Sequence, residues 1–241
     1  MFAAVITGDI INSKQIPVEV KEQLYTNLDR LLKRIGGSYE GKTFWGEVNR
    51  GDSFQCVLKN PGIALRIALV IKCYLKSFSV SADKSVYSSA RKKEATVNFP
   101  VLSIDARVAI GIGNVDFISS RLATSDGEAF QLSGTLLENI KGSTRTIAAA
   151  IDEENIQGEL NAMLAMLDII MRRTTALQCQ VIRHKLYRKK EIDIAKQLRI
   201  FQSAVNQRST AAGWHAIEAA VERFETIFKN YIRYDSGIAL A

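Results

Sequence analysis

Cysteine, histidine and proline are scarce in this 241-residue sequence, which contains three, two and three of them. The cysteines, Cys56, Cys73 and Cys179, are scattered and odd in number, so we expect core residues in a reducing compartment rather than a disulfide framework. The histidines, His184 and His215, have no cysteine or second histidine at metal-ligand spacing. A zinc site is therefore not expected.

Long apolar runs are also missing. No run reaches the roughly 18–20 residues that a membrane-spanning helix needs, and no basic stretch precedes the apolar run at the N-terminus, as it would in a secretory signal. The composition, 47% hydrophobic and 24% charged, is that of a globular protein. We therefore expect a cytoplasmic protein with no membrane partner.

Positive charge is present in excess and is unevenly distributed. The formal net charge is +7, of which residues 1–158 carry +2 and residues 159–241 carry +5. The window 177–212 alone holds eight basic and two acidic residues. A local excess of this size favours nucleic acid as a partner.

The first half of the chain alternates between strand and helix patterns. Strands are predicted from residue 2 and over 39–48, 52–58, 101–112 and 144–151; helices are predicted over 17–35, 61–78 and 128–140. The polar stretch 79–100 is predicted to be a long excursion, either a solvated loop or a phosphate contact. The order β-α-β-β-α-β-α-β is typical of an α+β, ferredoxin-like domain, with an antiparallel sheet and helices on one face.

Two Gly-Asp dipeptides stand out in this half. Asp9 ends the first strand, whose apolar run predicts burial on both faces. Asp52 begins the strand that follows the hairpin signal Asn49-Arg50-Gly51. A carboxylate at the end of a buried strand is costly unless a cation or donors meet it. We therefore expect Asp9 and Asp52 to be neighbours that bind a metal ion, with Mg²⁺ as the candidate; turn or capping roles are the alternative.

Other polar residues are candidates for contacts with a phosphate or nucleotide ligand. Asn12 and Ser13 directly follow the first strand, and Ser125 and Asp126 precede a predicted helix whose amides favour anions. Capping of that helix by Ser125, Asp126 or Glu128 is the alternative.

The second half is predicted to be all-α, which divides the chain into domains at 1–153 and 154–241. Helices are predicted over 155–174, 175–187, 189–198, 202–212 and 214–232, with a loose tail from 234. The first of these helices carries a Met and Leu stripe, which predicts core packing or a homodimer seam.

Residues 189–208 have the pattern of a helix-turn-helix. Ile192, Ala195, Leu198 and Val205 are predicted to point inward, with the turn at 199–201. The outward residues are candidates for DNA contacts: Lys189, Lys190 and Arg199 with phosphates, and Gln202, Ser203, Asn206, Gln207 and Arg208 with base edges or phosphates. A helical bundle that docks a protein is the alternative.

Several stretches resemble known families. The sequence IAKQLRIFQSAVNQR resembles the winged or sigma-type helix-turn-helix of bacterial regulators. The stretches VITGDIINS, RGDSFQ, ARVAIGIG and DGEAFQLSGTLLE resemble the palm-type core of class III nucleotidyl cyclases over roughly residues 2–151. The resemblance implies that Asp9 and Asp52 bind metal. The whole arrangement is similar to the SatD family of bacterial proteins.

Two positions depart from the cyclase pattern. Gln131 stands where the cyclases carry asparagine, and Thr135 stands where they carry a transition-state arginine. Threonine cannot neutralise charge that develops on a phosphoryl group. The resemblance therefore implies a degenerate domain, and no catalytic residue is assigned.

Taken as a whole, the sequence predicts a bacterial DNA-binding regulator that acts as a homodimer. Its cyclase-like half is expected to sense a nucleotide, another phosphate ligand or a metal. The alternatives are a Mg²⁺-dependent nucleotidyl cyclase or related phosphotransferase, and a protein-interaction scaffold.

Overall fold

A computed structural model describes residues 1–38, 43–49, 52–78 and 104–235. The sheet half consists of β1 (Phe2–Ile10), α1 (Val18–Ser38), β2 (Phe44–Val48), β3 (Ser53–Leu58), α2 (Ala64–Lys76), β4 (Ala106–Asn114), α3 (Glu128–Lys141) and β5 (Ile147–Ile151). The order of strands and helices is the predicted one. The predicted excursion at 79–100, the turn residues 50–51, the starts of two predicted strands at 39–42 and 101–103, and the end of the predicted tail at 236–241 lie outside the described residues.

Over residues 154–235 the structure describes five helices. They are α4 (Glu154–Arg173), α5 (Ala176–Leu186), α6 (Glu191–Leu198), α7 (Gln202–Ala211) and α8 (Trp214–Asp235). Among the helices that the structure describes, none combines the length and apolar character that crossing a bilayer requires.

The five strands form one sheet in the order β2-β3-β1-β4-β5. β1 is antiparallel to both β3 and β4, and β2 is antiparallel to β3. In this order β1-α1-β2 and β3-α2-β4 are split βαβ units, each with one strand inserted between its two strands. The predicted α+β, ferredoxin-like class is therefore confirmed over the first four strands.

The fifth strand and α3 correct one detail of the prediction, which placed an antiparallel sheet under helices on one face. β5 is parallel to β4, and α3 is the crossover between them. Ala4 and Ile6 of β1 pack in the main core with α1 and α2, whereas Ala3 and Val5 pack with α3. All four side chains are fully buried, so β1 is covered on both faces, as its apolar run predicted.

A close packing contact shapes the end of β1. A Cβ atom on Gly8 would lie 2.3 Å from the ring of Phe54, a distance at which something must shift. Glycine at this position lets the Phe54 ring lie flat against the strand and seal the core there. The next residue, Asp9, points to the other face of the sheet.

One hydrophobic core joins residues from both sides of the predicted domain boundary at 153/154. Leu160 and Leu164 of α4 and Phe224 and Phe228 of α8 belong to the same buried cluster as Ile6 of β1. α4 packs on β5, and α5 packs on α2. The predicted division into 1–153 and 154–241 therefore does not coincide with a break in packing.

A second, small core holds α5, α6 and α7 together. It consists of Val181, Ile194, Ala195 and Val205, with Leu198 and Ile200 partly buried against it. The prediction that Ile192 points inward is wrong, because its side chain is 51% exposed and Ile194 occupies the interior. In α6, Ile194 and Ala195 are buried against Val181 and Val205, and Leu198 is partly buried there, which leaves Ile192 on the solvent side.

Candidate functional site

The end of β1 and the starts of β3 and β4 meet at one edge of the sheet, which we call the rim. We define the rim by Asp9, Ser13, Asp52, Arg107 and Lys141. Asp9 lies opposite Ser53 of β3 and Arg107 of β4. The Ile10 amide donates to the Asp52 carbonyl at 3.0 Å. The structure thus brings the two predicted aspartates to the same edge.

The two carboxylates leave the sheet toward opposite faces. Asp52 lies opposite Ile10, one step along the strand from Asp9, and successive side chains in a strand alternate between faces. Asp9 therefore points to the α3 face and Asp52 to the α1 face. A single cation bound by both would have to lie beyond the open end of the sheet.

Each carboxylate has its own partner within the chain. Nη1 of Arg107 lies 3.4 Å from Oδ2 of Asp9. The Ser13 hydroxyl donates to Oδ2 of Asp52. Ser13 is buried, in the short 3₁₀ turn Ser13–Gln15 that follows β1. Both carboxylates are therefore compensated before any ligand binds.

Burial dominates the electrostatics of Asp9, whose side chain is only 13% exposed. Burial raises the pKa of the Asp9 carboxyl, and the charge of Asp52 adds to the rise; Arg107 and Lys141 oppose it. Lys141, at the end of α3, also interacts with Asp52. The rim therefore has two carboxylates and two cations within electrostatic reach of one another.

The rim fits Mg²⁺ only with help from a ligand. Within the described ranges, no group of three or more His, Cys, Asp or Glu side chains is placed to hold a metal ion. Two carboxylates and a hydroxyl fill at most half of the six octahedral positions of Mg²⁺, which leaves the others to water or to phosphate oxygens. Asp9 and Asp52 are therefore suited to a Mg²⁺ ion that arrives with a phosphate group.

The other predicted ligand contacts are divided between the two ends of the sheet. Asn12 is at the rim; it has a φ of 55°, and its exposed side chain caps nothing. Ser125 and Asp126 lie at the opposite end. They precede Glu128, whose Oε2 accepts from the Asn114 amide at 2.9 Å, and Asn114 pairs with Phe2 at the far end of β1.

Ser125 and Asp126 have local structural roles where they lie. The Ser119 amide donates to the Ser125 hydroxyl at 2.9 Å, and the Gly127 amide donates to Oδ1 of Asp126 at 2.8 Å. The N-cap of α3 is Gly127, with a φ of 140° and no side-chain cap. The structure therefore does not bring these two residues to the aspartates.

The sequence reasoning missed Arg107 and Lys141. Arg107 reaches Asp9 because β4 pairs with β1 in one particular register, and Lys141 does so because α3 ends above the same edge. Both depend on long-range pairing, which leaves no local signal in the sequence.

A second set of predicted residues lies on α6, α7 and the turn between them. We call the surface formed by Lys190, Lys196, Arg199, Gln202, Ser203, Asn206, Gln207 and Arg208 the α6–α7 surface. Arg199 makes the turn with a φ of 55°. The four polar residues of α7, Gln202, Ser203, Asn206 and Gln207, are exposed, and Arg208 is half-buried. Phe201, at the start of α7, is 84% exposed.

The cations near this surface fall into two groups. Lys185 pairs with Glu191 at 2.7 Å, Arg188 pairs with Glu225 at 3.0 Å, and Lys189 donates to Oε1 of Gln197 at 2.7 Å. The side chains of the second group make no hydrogen bond or ion pair with any described residue; they are Lys190, Lys196, Arg199 and Arg208. Their charge is available to a partner.

Comparisons with known proteins find distant likenesses only. No family model matches the chain, and no curated protein matches it. Among solved structures, the coiled coil and GGDEF domain of DgcB from Caulobacter crescentus, in complex with c-di-GMP, is 12% identical, with 62% of this chain and 70% of that chain covered and a TM-score of 0.43. A bacterial light-regulated adenylyl cyclase is 19% identical, with 62% and 43% covered and a TM-score of 0.40. Likenesses at this level carry no argument about function.

Proposed function

We propose that this protein is a DNA-binding regulator that places the start of α7 in the major groove. The observation that supports this most directly is the set of four cations without partners among the described residues. Lys190, Lys196 and Arg199 precede α7 in the chain, and Arg208 lies on it. The exposed side chains of the first two turns of α7 are uncharged hydrogen-bonding groups. Such a surface suits a polyanion whose base edges present donors and acceptors.

The residues divide naturally between the two kinds of contact. Lys190, Arg199 and Arg208 would bind phosphates, and Lys189 would join them by releasing Gln197. Gln202, Ser203, Asn206 and Gln207 are short enough to approach base edges when the helix lies in the groove. The small core beneath these residues fixes the position of α7 relative to α6. The side chains proposed to bind phosphates and those proposed to contact bases would therefore keep a constant spacing on the duplex.

The rim supplies the sensing part of the proposal. Asp9 and Asp52, with the Ser13 hydroxyl, would take up a Mg²⁺-bound phosphate group, and Arg107 and Lys141 would balance its negative charge. The regulator would act as a homodimer, because two half-sites multiply the affinity of a single weak contact.

Fluorescence anisotropy with a labelled duplex from the region upstream of the gene tests the DNA contact. We expect the double variant Arg199→Gln, Arg208→Ala to weaken binding by about 10-fold or more, because two phosphate or base contacts are lost. Lys33→Gln is a control for a charge lost elsewhere: it removes one positive charge from α1, where Lys33 already pairs with Asp29 at 2.7 Å. Its affinity should stay near that of the wild type.

Two results would reject the proposal. One is that the wild-type protein binds no duplex at low salt, which would favour the protein-interaction scaffold. The other is that Lys33→Gln weakens binding as much as the double variant does, which would show that only net charge matters.

A further inference from the structure

A cavity of about 450 Å³ lies where α1 and α2 of the sheet half meet α5 and α6. Its lining includes Arg34, Tyr74, Arg183, Tyr187 and Lys189. None of the described residues that line it carries a carboxylate. The volume falls in the range of small-molecule sites, roughly 300–1,000 Å³.

Positive charge in this cavity is held close together. The guanidinium of Arg183 lies 5.2 Å from the centre of the Tyr74 ring. Burial lowers the pKa of Arg183, and the nearby charge of Arg34 acts in the same direction. Two guanidinium groups that repel each other, with no acid among the described residues of the lining, favour an anion beside them.

The ring of His184 also lines the cavity, and it carries no charge. The side chain is 5% exposed and lines the cavity, and its Nδ1 atom is buried without a hydrogen-bond partner. Burial lowers the pKa of His184 to about 4, and the charges of Arg183 and Lys189 lower it as well. The ring is therefore neutral near pH 7.

We infer that this cavity binds a small organic phosphate of mononucleotide size. The guanidinium groups of Arg34 and Arg183 and the ammonium group of Lys189 suit a phosphate. The ring of Tyr187 offers a flat surface for an aromatic base, whereas one face of the Tyr74 ring already carries the Arg183 guanidinium.

The cavity is separate from the rim. Burial and then the charge of Asp52 raise the pKa of Tyr25, which places that part of α1 near the rim. Arg34 lies nine residues later, about 14 Å farther along the helix. The cavity also includes Gln197 of α6 and Lys189 just before it, so an occupant would contact both the sheet half and the helix that carries part of the α6–α7 surface.

Isothermal titration calorimetry with three probes tests the inference without any DNA, so its outcome is independent of the proposed function. The probes are AMP, ribose 5-phosphate and inorganic phosphate at constant ionic strength. We expect AMP to bind with a 1:1 stoichiometry and the other two to bind more weakly in that order. Arg183→Gln should lower the affinity for AMP about tenfold or more, because one charge-assisted contact is lost.

Three further variants locate the site and control for charge and folding. Lys189→Gln, at an exposed position, should also weaken AMP binding, and it covers the case in which Arg183→Gln does not fold. Arg173→Gln removes an exposed charge at the end of α4 and should bind AMP like the wild type. Asp52→Asn reports whether AMP binds at the rim, where Asp52 is proposed to take up a Mg²⁺-bound phosphate group.

Several results would overturn the inference. They are no binding of any probe to the wild type at millimolar concentration, equal affinities for AMP and inorganic phosphate, or an equal loss in Arg173→Gln. Loss in Asp52→Asn with retention in Lys189→Gln would place the ligand at the rim instead.

Discussion

Charged side chains cluster both at the rim of the sheet and on the α6–α7 surface. The two places differ in whether those charges have partners within the protein. At the rim, Arg107 meets Asp9, and Ser13 meets Asp52. On the α6–α7 surface, Arg199 and Arg208 have no partner among the described residues. The rim must give up an internal contact before it binds a ligand, whereas the α6–α7 surface need not. The difference indicates that the α6–α7 surface is the better prepared for an external polyanion.

The two regions also differ in how they are supported. The rim is the edge of a sheet whose central strand is buried on both faces. The α6–α7 surface rests on a core of four buried residues, two of which are Ile194 and Val205. We therefore expect the rim to be rigid and the α6–α7 surface to be the less stable part, because local stability follows the amount of buried apolar contact.

The substitution Val205→Asp should have the largest effect, because it should destabilise the α6–α7 region and leave the rim folded. It buries a carboxylate in the small core, at a local cost of about 4 kcal/mol or more. Hydrogen exchange measured by mass spectrometry should show lost protection in α6 and α7, while β1 and β4 keep theirs. DNA binding should disappear together with the protection of α7.

Thr210→Asp is the control for this change, because it adds the same charge at an exposed position of α7. It should leave the exchange pattern unchanged. If Val205→Asp removes protection from the sheet as well, the chain unfolds as one unit, and the contrast between the two cores is wrong.

A change in salt concentration should have the next largest effect, because it should alter the affinity of the α6–α7 surface for DNA. About four phosphate contacts per protomer, or about eight for the proposed homodimer, predict a loss of DNA affinity of about 10⁴-fold between 50 and 200 mM NaCl. Arg199→Gln should reduce the slope of log affinity against log salt by about one contact per protomer. Asp52→Asn should leave the slope unchanged because the rim is not part of the interface. A flat response in the wild type would contradict the phosphate contacts.

Local patterns were enough to predict most of the elements of the fold. The 3.6-residue and two-residue periods located the helices and strands, and the apolar run of β1 correctly indicated burial on both faces. The burial of β1 on both faces also argues against a sheet with helices on only one face, because such a strand needs a covering layer on each side. The position of α3 followed from the parallel crossover to β5, which no local pattern showed.

The candidate sites were predicted only as far as local signals reach. Asp9 and Asp52 were expected at one edge, and the structure places them there, but their opposite faces and the partner Arg107 depend on strand register. Ile192 was assigned to the interior of α6 because it fits the helical period nearly as well as Ile194; tertiary packing decided between them. The cavity beside His184 lies where four helices meet, so the sequence around His184 contains no local signal for it.

Acidification should have a smaller effect, and it should distinguish the rim from the cavity beside His184. The pKa shifts in these two places change the free energy of unfolding in opposite directions. His184, which lies beside Lys189 before α6, has a pKa of about 4 in the folded protein against 6.5 as the ordinary value. The unfolded chain binds more protons there, so this residue's contribution to the free energy of unfolding is present above pH 6.5. It should be lost as the pH falls toward 4, by about 2–3 kcal/mol at most.

Asp9 at the rim should act in the opposite sense. Its pKa is raised by burial above 3.8 in the folded protein, so the folded chain binds the proton more tightly. Its contribution is present at low pH and is lost as the pH rises through the raised pKa. Urea unfolding between pH 7 and pH 4 measures both: His184→Phe should reduce the loss of stability on acidification, and Asp9→Asn should enlarge it. Equal pH profiles for both variants and the wild type would show that neither group has the environment described.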